Sequence, residues 1–301
     1  MTAAETSDVG SPSIKGIIMA GGNGTRLNPL TKTINKHLLP VYDKPMIYYP
    51  LTTLMLAGIR NIAVITRGQD KSKFEELLGT GEQLGISIEY LVQDSASGIP
   101  EGLILAEEFI SESQVCLILG DNILIGQGLG RTLSRFINLT GAQIFAFPVS
   151  NPEEYGVVEI SDMDGTPIRI TEKPSNPKSN LAIPGIYFLD QTSVIKAKSL
   201  KKSPRGELEI TDLLKMYLSD NSLKIEILQR GTGWMDAGTI QNLYGAAEMI
   251  KVIQERQGLR IGMPEEVALN NGWITHQQVI EITKGMSHTD YSKYLMKICQ
   301  D

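Results

Sequence analysis

Cysteine is almost absent: only Cys116 and Cys299 occur in 301 residues, one inside an apolar run and one near the end. That usage excludes a disulfide framework and suits a reducing compartment, so a cytoplasmic protein is expected. Long apolar runs are missing too. Segments such as Val115-Cys-Leu-Ile-Leu119 are strand-sized, far short of the roughly 18 residues that a membrane span requires, so no membrane partner is expected. The three histidines, His37, His276 and His288, lie far apart without ligand spacing, which argues against a zinc site. Positive charge is not in excess. A formal net charge of −6 argues against a nucleic-acid partner, whose phosphates call for many clustered Lys and Arg. A small polyanion is different, because one local cluster of cations can hold a nucleotide inside a protein that is acidic as a whole.

Residues 1–13 have neither a basic start nor an apolar stretch; they do not read as a secretory signal, and a disordered tail is expected there. With 42% hydrophobic and 21% charged residues, the rest has ordinary globular composition. Its length allows a substantial core.

Short apolar runs recur at 16–20, 61–66, 86–92, 115–119 and 142–149, and the stretches between them carry helical periodicity. The pattern predicts an α/β fold: a Rossmann-like, mostly parallel sheet with helices on both faces. Helices are expected between Met46 and Gly58 and from Glu101 to Ile110. After residue 150 the texture changes to Gly156-Val-Val-Glu159, a turn at Met163-Asp-Gly-Thr, then Ile168 to Glu172 and Ile183 to Leu189, which reads as a small β extension. Further helices are expected at 207–219 and 239–257, the second with Ile240, Leu243, Ala246, Ala247, Ile250 and Ile253 along one stripe. The remainder reads as helical throughout.

The first run empties into Ala20-Gly-Gly-Asn-Gly-Thr-Arg-Leu27, with Lys36 close behind. Gly21, Gly22 and Gly24 let the backbone approach a ligand and aim its amides at anionic oxygens, and Arg26 and Lys36 add full positive charges. The loop matches neither the Walker pattern nor the dinucleotide fingerprint, and a glycine-rich turn alone is often just a loop. A second strand end, Leu119-Gly-Asp-Asn122, places Asp121 at the same carboxyl edge, where ligands of open α/β sheets bind. A carboxylate and a phosphate cradle in one crevice suggest a bridging divalent cation.

Seven segments stand in order along the chain: Gly21-Gly-Asn-Gly-Thr-Arg-Leu27, Asn35-Lys-His-Leu-Leu-Pro-Val-Tyr-Asp-Lys-Pro-Met-Ile-Tyr-Tyr-Pro50, Gly120-Asp-Asn122, Tyr155-Gly-Val-Val-Glu159, Glu172-Lys-Pro174, Arg205-Gly-Glu-Leu-Glu-Ile-Thr-Asp212 and Trp234-Met-Asp-Ala-Gly238. Together they resemble the sugar nucleotidyltransferases, most closely the glucose-1-phosphate thymidylyltransferases. The resemblance spans about residues 15–299. It implies a core over 14–240, with a nucleotide part at about 14–125 and a sugar part at about 140–240, and a helical C-terminal segment, 241–301, packing on the core or a neighbouring subunit. The implied reaction couples a nucleoside triphosphate to a sugar 1-phosphate, releasing pyrophosphate, with Mg²⁺ as cofactor and a homotetramer as the assembly.

The same resemblance distributes roles. Arg26, Lys36 and Asp121 are the catalytic candidates, with Arg26 on the triphosphate and Lys36 on the attacking and α-phosphates. Ala20, Gly21, Gly22, Gly24, Thr25, Arg26, Gln93, Gly98 and Asp121 would bind the nucleotide, Gln93 and Gly98 contacting a pyrimidine base. Asp121 and Asp236 would hold the metal, although either alone also reads as an exposed loop aspartate. Asn122, Gly156, Glu172, Lys173, Tyr187 and Trp234 fall around the sugar phosphate. Glu172 and Lys173 equally suit a solvated pair at a strand end, and Trp234 suits either a floor of the site or core.

Three departures from the family pattern stand out: His37 where glutamine is usual, Ile99-Pro-Glu-Gly102 where Leu-Ala-Gln-Ala is usual, and Ile183-Pro-Gly185 where Val-Thr-Gly is usual. The last two are expected beside the sugar pocket, which favours an acceptor other than plain glucose 1-phosphate or a relaxed preference. His37 is expected to donate a hydrogen bond near the phosphates. Gly126-Gln-Gly-Leu129 lacks the histidine and acidic residue often found in the family's second nucleotide-sugar site, so no regulatory residues are assigned. dTTP is favoured; UTP or CTP with another acceptor, and a catalytically silent nucleotide-sugar-binding subunit, remain alternatives.

Overall fold

Each of the five apolar runs forms a strand. The computed structural model describes residues 14–300 except residue 96, so the tail expected at 1–13 lies outside the described residues. In chain order the strands are β1 (Ile14–Met19), β2 (Pro40–Val41), β3 (Lys44–Pro45), β4 (Asn61–Thr66), β5 (Ser87–Val92), β6 (Gln114–Leu119), β7 (Asn122–Ile125), β8 (Ala142–Pro148), β9 (Gly156–Ile160), β10 (Pro167–Glu172), β11 (Leu181–Ala182), β12 (Ile186–Leu189), β13 (Leu223–Ile227) and β14 (Gly233–Asp236). The helices are α1 (Tyr48–Leu56), α2 (Lys71–Leu78), α3 (Ile99–Leu105), α4 (Glu107–Ile110), α5 (Leu129–Ser134), α6 (Ser193–Ser199), α7 (Ile210–Ser219), α8 (Ile240–Gln257), α9 (Pro264–Asn270), α10 (His276–Lys284) and α11 (Asp290–Ile298).

The main sheet runs β10-β9-β11-β8-β12-β6-β1-β4-β5, with β13 added along β8. Strands β6, β1, β4 and β5 are parallel neighbours. From β12 outward the pairing turns antiparallel, apart from the parallel β8–β13 pair. Near-continuous apolar strands such as Ile17-Ile18 are buried on both faces because helices cover both. Leu51, Leu54 and Met55 of α1 pack on one face with Ile18, Val64 and Phe188. Leu103, Ala197, Leu213 and Tyr217, from α3, α6 and α7, pack on the other with Ile17, Ile65 and Leu117.

Local chemistry corrects several expected boundaries. The helix expected from 101 to 110 breaks at Ala106 into α3 and α4. Gly102 lies against Met19, where a Cβ would collide with its sulfur, so the helix passes close over β1. Helix α7 starts at Ile210 rather than 207, because Ser203 to Glu209 form a loop whose Leu208 amide donates to the Ser97 carbonyl at 2.7 Å. Strand β13 was not anticipated at all. Ile240 of the expected α8 stripe is 51% exposed, whereas Ala246 and Ile250 are buried.

Among the described residues the C-terminal segment is four helices, α8 to α11, rather than one continuous run. Helix α8 stops at Gly258, in the left-handed region at φ 66°, and α10 opens on a Thr275–Gln278 capping box. Helix α9 packs on α1, and Tyr291 of α11 donates to Glu265 of α9 at 2.6 Å. The segment therefore docks on the core of its own chain. Among the described residues, no helix is long and apolar enough to cross a membrane.

Candidate active site

The site lies beyond the carboxyl ends of β1, β4, β5 and β6, where β1 has parallel neighbours on both sides. Ala20 closes β1 by donating its amide to the Ile65 carbonyl at 2.7 Å. The chain then turns through Gly24, at φ 62°, whose Cβ would press 3.0 Å from Thr31. A short 3₁₀ turn, Thr25–Leu27, buries Leu27 and leaves Arg26 free to reach the cavity.

Lys36 opens a further 3₁₀ turn, Lys36–Leu38, held by Asn35. The Asn35 carbonyl oxygen accepts both the His37 amide at 3.0 Å and the His37 Nδ1 at 2.9 Å, while its amide group donates to the Ala20 carbonyl and to Asp70. Arg67 in turn donates to Asp70 at 2.7 Å. His37 is buried, and burial followed by the Lys36 charge pushes its imidazole down to about 3. It is therefore a neutral ring, a donor through Nδ1, wedged against Gly120, where a Cβ would come 2.6 Å from His37 Cδ2. The hydrogen bond expected near the phosphates goes instead to Asn35, because this ring is a buried brace.

Asp121 follows Gly120 at the end of β6, and Asp236 ends β14. More than a hundred residues of chain separate them, yet β7 and β14 pair antiparallel with Asn122 opposite Asp236, and the Ala237 amide donates to the Asp121 carbonyl at 2.9 Å. Gly238 marks the point of convergence. A Cβ there would lie 2.7 Å from Arg26 Nη2, 2.7 Å from Asp236 Oδ1 and 3.3 Å from Asp121 Oδ2. Lys36 Nζ completes the cluster by pairing with Asp121 Oδ2.

The electrostatics differ between the two acids. Burial opposes ionisation of Asp121, but Lys36 wins and holds this carboxyl below the usual carboxylate range. Asp236 is pushed up to about 6, first by burial and then by the Asp121 charge. Two hard carboxylates forced together at the mouth of a phosphate cradle are the donor set that a divalent cation completed by phosphate oxygens and water would satisfy. The residues present thus fit such an ion.

These groups share one cavity of about 370 Å³. Of the nucleotide-side candidates, Gly21, Gly22, Arg26, Lys36, Gln93, Gly98 and Asp121 line it. Ala20, Gly24 and Thr25 do not; they shape the loop from behind. On the sugar side Asn122, Gly156, Glu172, Lys173, Tyr187 and Trp234 all line it, and so does Asp236. Asn122 is largely committed within the protein: its oxygen accepts the Gly185 amide at 2.9 Å and Trp234 Nε1 at 2.7 Å, and its amide group donates to Asp121. Trp234 is wall and core at once, with Phe147 and Tyr155 edge-on to its ring at 5.8 and 5.1 Å.

Glu172 and Lys173 close the far end. Lys173 takes φ 40°, an uncommon conformation for a residue with a side chain, and its backbone amide donates a hydrogen bond to the Tyr155 carbonyl at 3.0 Å. Burial, and then the charge of Glu209, push the Glu172 carboxyl up. Arg205 was not singled out from the sequence. It forks onto Glu209 with bonds of 3.1 and 2.6 Å and approaches Glu172 at 3.5 Å. The signal was present in Arg205-Gly-Glu-Leu-Glu209, three charges just before a helix, but such a run usually reads as solvated. Glu101 corrects a second expectation. It was placed beside the sugar pocket, yet α3 turns it back along β5, where it accepts Gln93 Nε2 at 2.5 Å. Ile183 does lie on the sugar side, bonded to the Gly156 carbonyl at 2.8 Å.

A phosphate cradle, two facing carboxylates and a polar far end on one switched α/β sheet define the class: an enzyme that handles a phosphorylated nucleotide and a second polar substrate together. Comparison with known proteins narrows it. A family model described as nucleotidyl transferase matches residues 15–252. A glucose-1-phosphate thymidylyltransferase of Neisseria meningitidis is 50% identical over 95% of this chain and 99% of its own, and one of Mycobacterium tuberculosis is 47% identical over the same shares. A solved structure described as a Bacillus anthracis glucose-1-phosphate thymidylyltransferase with sucrose superposes with a TM-score of 0.73, at 40% identity, over 79% of this chain and 95% of that one. A UDP-glucose pyrophosphorylase with UDP-glucose, 24% identical with a TM-score of 0.70 over 80% and 99%, shares the fold. The chain belongs to the nucleotidyl transferase family, among the glucose-1-phosphate thymidylyltransferases.

Proposed function

We propose that this enzyme joins dTTP to glucose 1-phosphate, giving a dTDP-sugar and pyrophosphate. The observation that carries this reading is the convergence of Arg26, Lys36, Asp121 and Asp236 around Gly238, at the end of the glycine loop. The physical problem is charge: two anions must meet while negative charge moves onto the leaving pyrophosphate, so positioning and electrostatic stabilisation do most of the work. Arg26 sits on the loop side to steady the triphosphate. Lys36 stands beside Asp121 to steady the attacking phosphate oxygen and the α-phosphate. Mg²⁺ held by Asp121 and Asp236 would neutralise phosphate charge and polarise the α-phosphorus.

At the sugar end, Glu172 accepts hydrogen bonds from hydroxyls, and Lys173 with Arg205 offsets the sugar phosphate. Burial and the nearby Glu172 and Asp121 charges push the Tyr187 hydroxyl up, so it keeps its proton and can donate. The case for an unusual acceptor is weakened, because Glu101 faces Gln93 and, of the residues departing at 99–102 and 183–185, Ile99 and Ile183 are the ones that line the cavity. Glucose 1-phosphate is therefore the acceptor of choice. We assign the assembly as a homotetramer in the cytoplasm; the exposed Tyr244 and Val252 on α8 supply apolar surface for subunit contact, and mass measurement in solution tests it.

A matrix of dTTP, UTP, CTP, ATP and GTP against several sugar 1-phosphates with Mg²⁺, read by pyrophosphate release, tests the whole reading. The dTTP and glucose 1-phosphate pair should give the highest kcat/KM. Nucleotide binding without pyrophosphate from any pair would replace the enzyme with a silent binding subunit.

A further inference from the structure

Gln93 is a buried carboxamide, 6% exposed, at the end of β5. A carboxamide has two faces, an acceptor oxygen and a donor nitrogen, and a free glutamine can present either by rotating its terminal torsion. Here the choice is made by Glu101. A carboxylate only accepts, so the 2.5 Å bond between Gln93 and Glu101 Oε2 forces Nε2 toward α3. The oxygen is left facing the cavity, over the glycine loop; a Cβ on Gly21 would lie 2.8 Å from Gln93 Oε1. Among the described residues that oxygen accepts no hydrogen bond. Glu101 itself is held in the first turn of α3, whose start is fixed by Pro100 and by the bridge between Gly98 and Leu208.

We infer that Glu101 is a positioning residue for base selection: it locks Gln93 so that the enzyme offers a carbonyl oxygen, and not an amide proton, to the pyrimidine edge. This deepens the proposed nucleotidyl transfer and rests on the nucleotide occupying the Gln93 end of the cavity. Thymine and uracil carry a proton on N3, flanked by carbonyls, and meet that oxygen with a donor. Cytosine carries a lone pair on N3 and meets it with repulsion. A protein group whose orientation is fixed cannot flip to relieve that clash, so the lock turns an adaptable side chain into a discriminating one.

The test compares dUTP with dCTP, which differ at the N3 and C4 edge but share sugar, phosphates and the absence of a methyl group. Calorimetric binding with Mg²⁺ and pyrophosphate release with glucose 1-phosphate are measured for wild type, Glu101→Gln, Glu101→Ala and Gln93→Ala. Wild type should favour dUTP. In Glu101→Gln the partner amide can donate or accept, so the dUTP to dCTP preference should fall about tenfold, with the change in KM and not in kcat. Combining Glu101→Ala with Gln93→Ala should alter the ratio no further than Gln93→Ala alone. A preference unchanged in both Glu101 variants, or an equal loss for both nucleotides, overturns the lock. Wild type that binds dUTP selectively yet releases no pyrophosphate overturns the catalytic reading alone and leaves the lock standing.

Discussion

The two ends of the cavity are built differently. At the nucleotide end the Lys36–Asp121 pair is nearly sealed: the two side chains are 13% and 9% exposed, braced by the buried His37, Asn35 and Asp70, while Arg26 reaches in from the exposed loop. At the sugar end Arg205 and Glu172 are 47% and 25% exposed, and they sit on a strand end and a loop. One end fixes charge in a low-dielectric setting, where each group is worth most and needs no reorganisation at the moment of reaction. The other holds its groups loosely enough to admit and release a hydroxylated substrate. Substitutions at the first should therefore strike turnover, and substitutions at the second should strike affinity.

The largest effect is expected at the nucleotide end. Lys36→Ala or Arg26→Ala should lower kcat on the order of 10²–10³-fold, by analogy with loss of other preorganised donors. A loss confined to KM in steady-state kinetics would erase the contrast between the ends. Next comes the brace behind Lys36. Asp70→Ala strands Asn35 and Arg67, and should cost about 2 kcal/mol of stability in denaturant titration. A cost near zero would mean that the cradle holds itself. At the open end, Arg205→Gln should raise KM for the sugar phosphate about tenfold with kcat nearly held.

The smallest expected effect is one of pH. Glu172 titrates above the ordinary glutamate range, and its charged form accepts the sugar hydroxyls. As pH falls, protonation begins earlier than for an ordinary glutamate, so KM for the sugar phosphate should rise on the acid side and level off at higher pH. Glu172→Gln should remove that slope, and a slope that persists assigns the titration to another group.

How much the sequence revealed also differs between the ends. The glycine loop, Lys36 and Asp121 were legible because local rules place them: apolar run, tight turn, cation, and an acid at the next strand end. Asp236 could be matched by resemblance, but its approach to Asp121 depends on the β7–β14 pairing, which no local pattern announces. Strand β13 escaped for the same reason, since Leu223-Lys-Ile-Glu-Ile227 is short and its partner β8 lies far back in the chain. Arg205 and Glu209 looked like surface charges until the loop before α7 was seen folded over the cavity. Glu101 was misplaced because its direction follows from the path of α3, and sequence spacing says nothing about that.

The central claim is that the two cations and two acids act as one unit, and a double-mutant cycle on kcat for pyrophosphate release tests it most directly. Lys36→Ala, Asp236→Asn and the double variant are compared with wild type at saturating Mg²⁺, dTTP and glucose 1-phosphate. Residues that act together lose most of their effect with the first removal, so the double variant should be little slower than the worse single variant. Losses that multiply in full would show two independent sites and contradict the account.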